Sequence, residues 1–304
     1  MKNVFTFLLL LFSLLCNGQS PKLFTTDKEL SSSLINQIYQ DRNGFIWIAT
    51  EDGLNRYDGA KFTIYKHEPN NEHSLAHNFV RTVFEDSKGH LLIGTYIGIQ
   101  MYDPGTDNFT PLAKLEDTGE TLESNINSFI ERKNGEIWVS GNVLCKLDIK
   151  DHLLTVRKVD IAVTSPGSLF EDKKQNVWMA KGEEGVYQLT PDNQLTLHLS
   201  KDNGYVKSIC EDQRGNIYVG SIRKGLFIYE KERKTFVPVD LKEKGELPVC
   251  FLYSGIPNEL YIGTDGKGVA IYNIRTHEIS EYKFDNNYFD SGNSKIHSIL
   301  KDNS

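Results

Sequence analysis

One phrase returns six times along the 304 residues: a short apolar strand, an acidic turn ending near Gly, an aromatic strand, a second Gly, and an aliphatic–Tyr pair. Aligned on the turn position, the copies fall at Gly44, Gly89, Gly135, Gln175, Gly215 and Asn258, at intervals of 45, 46, 40, 40 and 43 residues. Self-similarity at a fixed period decides architecture before any single residue can be read for chemistry. A period of about 43 holds four short strands joined by tight turns, the size of one β-propeller blade. No copy shows the three-to-four spacing of apolar residues that a helical repeat requires. The expected fold is therefore all-β: a propeller of four-stranded antiparallel blades, six of them complete and a seventh unfinished.

Each copy assigns the same work to the same position. Ile35/Ile38, Val80/Val83, Ile126/Phe129, Leu169, Val206/Ile209 and Val249/Phe251 begin the first strands. Asp41, Asp86, Asp172 and Asp212 open a turn whose fourth residue is usually Gly. An Asp side chain can accept bonds from the turn's own amides, and Gly tolerates positive φ, so D-x-x-G suits a type I turn with a bulge. Trp47, Leu92, Trp138, Trp178, Tyr218 and Tyr261 share one place in the second strand. A flat side chain there is expected to fill the wedge between stacked blades rather than to stack on a ligand. Further glycines (53, 98, 185, 225 and 268) precede third strands ending at Tyr57, Tyr102, Leu147, Leu189, Tyr229 and Tyr272. Arg132 in the third copy and Gln175 in the fourth break the pattern, so those blades are expected to be the least regular.

Val4–Leu15, after Lys2, is an apolar run of 12 residues interrupted only by Thr6 and Ser13. It is too short to span a bilayer and fits the core of a signal peptide, with cleavage expected after Gly18. The domain reading is thus a signal peptide over residues 1–18 and a propeller over 19–304. At the other end, Lys295–Ser304 matches the first strand of a seventh copy, and Lys22–Thr25 resembles a fourth strand. The two together read as the first and last strands of one shared blade, in an N-terminal fragment of a longer protein.

A net charge of −7 argues against nucleic acid or anionic membrane as a partner. The cysteines after the expected cleavage point, Cys145, Cys210 and Cys250, lie in different copies and are odd in number, so free buried thiols are expected. His67, His73 and His77 cluster with Glu68 and Glu72, but their spacing fits no metal pattern. Gly263–Gly268 lacks the Lys-Ser/Thr ending of a phosphate loop. His277-Glu278 sits before a fourth strand, not on a helix. No catalytic residue, metal or cofactor is expected. Recognition is instead expected on the face where second-to-third-strand loops and blade connections converge. These loops differ between copies while the scaffold repeats. They nominate Asp52, Tyr96, Tyr205, Arg223 and Asp265 as ligand-binding candidates.

The stretch Gln40–Gly59, with Leu30–Ile35 before it and Asn71–Asn78 after it, closely resembles the two-component regulator propeller repeat. That resemblance covers essentially Lys22–Ser304. It implies the periplasmic sensor region of a bacterial hybrid two-component system, many of which detect carbohydrate fragments. It further implies a longer parent anchored in the inner membrane, with a second propeller, a β-sandwich, a kinase and homodimerisation through that parent. The expected function is an extracytoplasmic ligand-sensing module, not an enzyme, responding to an oligosaccharide. The alternative is a secreted propeller enzyme such as a polysaccharide lyase.

Overall fold

A buried carboxylate at each acidic turn explains why the chain breaks into strands where it does. In the computed structural model, which describes residues 22–27, 29–199, 204–241, 247–282 and 295–302, Asp41 is only 6% exposed. Its Oδ1 accepts the backbone amides of Asn43 and Phe45 at 2.9 and 3.0 Å, and its Oδ2 accepts Trp47 Nε1–H at 2.8 Å. One side chain therefore closes the turn and fixes the orientation of the core indole. Asp172 repeats this with Lys174, Asn176 and Trp178. Asp212 does so with Arg214, Asn216 and, at 3.5 Å, the Tyr218 hydroxyl. Asp86 holds the amides of Lys88 and His90 and the His90 ring. The turn's fourth residue has positive φ whether it is Gly (Gly44, +90°) or not (Gln175, +66°; Asn258, +62°).

Six sheets result, each running from the first to the fourth strand in chain order. Blade one comprises β1 (Ile35–Gln40), β2 (Ile46–Thr50), β3 (Gly53–Tyr57) and β4 (Phe62–Tyr65). Blade two comprises β5 (Val80–Glu85), β6 (Leu91–Thr95), β7 (Ile99–Asp103) and β8 (Asn108–Phe109). A short β9 (Lys114–Leu115) then joins blade three, β10 (Ser128–Glu131), β11 (Ile137–Ser140), β12 (Leu144–Lys150) and β13 (Leu153–Lys158). Blade four holds β14 (Leu169–Glu171), β15 (Val177–Lys181), β16 (Gly185–Leu189) and β17 (Leu195–Leu199). Blade five holds β18 (Val206–Glu211), β19 (Ile217–Ser221), β20 (Gly225–Glu230) and β21 (Thr235–Pro238). Blade six holds β22 (Val249–Ile256), β23 (Glu259–Thr264), β24 (Val269–Asn273) and β25 (Ile279–Glu281). All pairings within a blade are antiparallel except β9 against β13, which is parallel.

The core lies between blades. Trp47 packs with Leu91, Ile93, Tyr102 and Phe109 of blade two. Trp178 packs with Ile217, Val219, Phe227 and Phe236 of blade five. Trp138 meets Val177, Met179 and Leu189, while Tyr218 meets Leu252, Leu260 and Ile262. The three indoles are 0–3% exposed, so each ring fills a wedge as its spacing predicted. A ring that buries about 150–250 Å² contributes roughly 4–6 kcal/mol of gross apolar transfer.

A polar clamp crosses the same interfaces. The residue after the one that opens the turn (Asp41, Asp86 or Arg132) donates its amide to the Glu that ends the next blade's first strand: Arg42 to Glu85 (2.8 Å), Ser87 to Glu131 (2.7 Å) and Lys133 to Glu171 (2.7 Å). Arg42 adds an ion pair with Glu85 at 2.5 Å, and Arg132 adds one with Glu171 at 2.9 Å.

Blade three replaces the aspartate cage. Arg132 lies over the Trp138 ring, 4.6 Å from its centroid, and Trp138 Nε1 donates to Glu136 Oε2 at 3.0 Å. Glu136 also accepts from Lys146 Nζ at 2.5 Å. The Lys146 bond foremost, with those of Trp138 and Asn134, holds the Glu136 carboxyl down at about 2. This blade carries the extra strand β9, whereas blade four keeps a regular four-stranded order despite Gln175. Blade six has no turn Asp; β22 and β23 meet through a tight hairpin at Pro257-Asn258.

Residues 295–302 occupy the first-strand slot between blades six and one. Ile296 N–H bonds Thr264 O at 2.9 Å, matching Ile126 N–H to Thr95 O at 3.0 Å. Ile296 lies against Gly263 as Ile126 lies against Gly94, close enough that a Cβ at either Gly would fall under 3 Å from it. Ser298 Oγ accepts Ile38 N–H at 3.2 Å, as Ser208 Oγ accepts Leu252 N–H in the next blade along at 3.1 Å. Residues 22–25 pair with no strand among the described residues, but Phe24 packs on Tyr57 and Phe62 at 5.0 and 4.9 Å. The expected signal peptide lies outside the described residues.

Asp172→Ala should lower the unfolding free energy by about 2–4 kcal/mol in chemical denaturation, because it strands a buried indole N–H and two turn amides. Glu136 keeps its proton off in the fold down to about 2, so its stabilisation is full above its ordinary value of 4.5 and fades as pH falls towards 2. Glu136→Gln should therefore flatten the fall in melting temperature across that window. Gly263→Val should expel Ile296, seen as faster hydrogen exchange of the Ile38 amide while blades three to five stay protected.

Candidate functional site

The face expected to carry recognition is built on turns that the scaffold locks. At the end of the second strand in blades one, two and six a Thr hydroxyl caps the turn: Thr50 Oγ1 donates to Gly53 O at 2.8 Å, Thr95 Oγ1 to Gly98 O at 3.1 Å and Thr264 Oγ1 to Gly268 O at 2.7 Å. These threonines are fully buried. The loop residues that follow are thus displayed from fixed bases.

The five nominated residues divide into two groups. Asp52 accepts from Lys66 Nζ at 2.6 Å and from Asn78 Nδ2 at 3.0 Å, so it anchors the connection from blade one to blade two. Asp265 pairs with Lys295 Nζ at 2.8 Å and bridges to it through the backbone, so it seats residues 295–302. Arg223 pairs with Glu183 at 3.3 Å, with both side chains well exposed. Tyr96 and Tyr205 remain open, at 54% and 43% exposure. Tyr96 lies near the rings of His77 and Phe79, at 5.5 and 6.0 Å. Tyr205 covers Gly182, where a Cβ would stand 3.0 Å from its ring. The two tyrosines are thus the nominated side chains free to meet a ligand.

His67, His73 and His77 each bond a different backbone group: Leu75 O, Phe109 O and Phe79 N–H. Burial foremost, then the charge of His67, lowers the pKa of His77. Among the described residues no group of three or more His, Cys, Asp or Glu is gathered as metal ligands. Cys145 and Cys250 are buried free thiols and Cys210 is a partly buried one. Burial pushes the Cys145 thiol up to about 11.

Sequence reasoning missed the walls of the central channel. The register of the first strand slips by one residue between Ile35 and Gln37, Val80 and Thr82, Val206 and Ser208, and Val249 and Phe251. Each slip leaves one bulged residue at the same place in the repeat: Asn36, Arg81, Lys207 and Cys250. A bulge re-aims its side chain away from the ladder. Asn36 uses that freedom to bond Val80 O at 2.7 Å, and Asn127, at the equivalent position of blade three, bonds Pro166 O at 3.1 Å. The equivalent residue in the slot between blades six and one is His297, whose proton affinity is lowered by burial and by Lys207 and Lys295. The available signal was a polar residue directly after an apolar one, five places before the residue that opens the turn: Asn36, Arg81, Asn127 and Lys207.

Three segments of the chain, residues 29–52, 74–96 and 200–223, match the two component regulator propeller family. A histidine kinase P4 of Formosa agariphila is 37% identical over 83 residues, spanning 25% of this chain and 6% of that protein. The fold is similar to the extracellular domain of a hybrid two component system from B. thetaiotaomicron, with a TM-score of 0.77, 21% identity, and 92% of this chain and 39% of that one covered. It is also similar to virginiamycin B lyase from Staphylococcus aureus, with a TM-score of 0.65, 13% identity and 88% of each chain covered. At these identities the structural likenesses speak for the fold alone. The chain thus spans well under half of the kinase and of the hybrid-system domain it matches. The three matched segments fall in the first, second and fifth copies of the repeat.

Proposed function

We propose that this propeller is an extracytoplasmic ligand-sensing module of a two-component regulator, and that its ligand is a carbohydrate fragment. The observation that carries the reading is the match of the regulator propeller family to three separate copies of the repeat. The exposed Tyr96, which follows the capping Thr95, and Tyr205, which leads into β18, suit the apolar faces of sugar rings, while the surrounding amides and carboxylates suit hydroxyls. In this reading binding is converted to signal by kinase and receiver parts supplied by a longer protein, and the propeller faces the periplasm. A second propeller, a β-sandwich and dimerisation belong to that same proposed assembly.

A propeller lyase is the alternative, and the similarity in fold to virginiamycin B lyase is its support. The two readings separate in one experiment. The purified chain is titrated calorimetrically against a panel of oligosaccharides, with the products analysed for cleavage. The sensor reading expects saturable binding without turnover, weakened about tenfold, or about 1.4 kcal/mol, by either Tyr96→Ala or Tyr205→Ala. Cleavage of any panel member, or binding untouched by both substitutions, sinks it.

A further inference from the structure

Two of the bulged channel positions carry cations that the protein does not neutralise. Arg81 and Lys207 are both partly buried, yet among the described residues neither makes an ion pair or a side-chain hydrogen bond. They stand on blades two and five, and the charge of Arg81 reaches Lys207. Burying a charge without a partner is costly, and fold scaffolds ordinarily place a neutral residue there. The same position holds Asn in blades one and three, and both of those amides are spent on neighbouring carbonyls. The cations therefore serve no visible structural bond.

Their surroundings define a compartment. Arg81 lies beside the Phe79 ring, 5.8 Å from its centroid, and feels the charges of Tyr205 and Glu51. Lys207 feels Cys250, Lys295, Asp265 and Arg81. The ammonium is held below the ordinary lysine range by burial first, with Lys295 and Arg81 adding to it and Cys250 and Asp265 opposing. Of the two carboxylates in reach, Asp265 is engaged by Lys295 at 2.8 Å. Glu51 is exposed and lies beyond ion-pair distance of Arg81. His297 completes the wall as a ring whose protonation is disfavoured. Thus the compartment contains two unspent cations, one exposed carboxylate, and the open Tyr205 ring at its rim.

We infer that the channel between Arg81 and Lys207, under Tyr205, is a binding site for the carboxylate of a small anionic ligand. A guanidinium offers a planar fork of donors that matches a carboxylate edge, while the ammonium supplies a point charge from the opposite wall. A ligand seated there would link blades two and five directly and so report its presence to the whole ring. The site is independent of the sensor reading, which requires only that some ligand bind.

The test titrates the purified chain with sodium glucuronate and sodium sulfate at constant ionic strength, with glucose as the neutral control. Wild type is compared with Arg81→Gln, Lys207→Gln and the double variant. Saturable binding of glucuronate, weakened at least tenfold by each single change and abolished by both, is expected, with glucose indifferent throughout. The variants should melt at or above the wild-type temperature, because each removes an unpaired, partly buried charge, and this separates lost binding from lost fold. The inference is overturned if neither anion binds, if glucose binds as well as glucuronate, or if the double variant binds like wild type. None of those failures would touch the sensor reading, which the oligosaccharide panel tests by itself.

Discussion

The ring depends on a buried carboxylate at the turns of blades one, two, four and five. In blades one, four and five an aspartate takes two turn amides on one oxygen and a second-strand side chain on the other, and in blade two the second oxygen takes the His90 ring just before β6. Turn and wedge are thereby coupled: the group that stops the first strand also orients the ring that packs on the next blade. A buried, charge-assisted acceptor of this kind is worth more than a neutral bond and is costly to lose. Blade three shows that the requirement is for an acceptor at the indole N–H, not for Asp as such. There Glu136 supplies the oxygen, and Arg132 takes the place of the turn residue by lying on the ring.

That coupling explains what was legible from residues alone. The fold was, because D-x-x-G and the aromatic six places after the Asp recur where local chemistry and packing agree. Gln175 and Asn258 were readable as turn residues because both adopt the left-handed conformation that Gly otherwise supplies. The interblade clamp was not, since Glu85, Glu131 and Glu171 merge with the acidic turn and acquire meaning only against a neighbour one period away. Nor was β9, a two-residue strand pairing in parallel outside the repeat. Of the loop candidates, Asp52 and Asp265 bond a lysine or an amide nearby. Tyr96 and Tyr205 kept their faces open.

The bulge is where framework gives way to variation. A strand with strict alternation presents either its core side or its neighbour's side, and every residue is then committed to packing. One inserted residue escapes that commitment without moving the residues that fill the wedges, because the register recovers within two positions. Amides at this position tie adjacent first strands together, whereas cations leave the channel charged.

The segment 295–302 bears on the same geometry. Its Ile296 and Ser298 reproduce the contacts of a first strand on both sides, to Gly263 and Thr264 of blade six and to Ile38 of blade one. His297 is thereby placed between two fixed neighbours at the repeat's variable position, with Lys295 tied to Asp265 beside it. The channel wall is continuous in first strands around the ring even where the outer strands of a blade are not present in the described residues. Recognition at the channel then rests on the innermost strands, whose spacing is set by the Gly–Ile and Gly–Val contacts between blades, and these are insensitive to what the outer strands do.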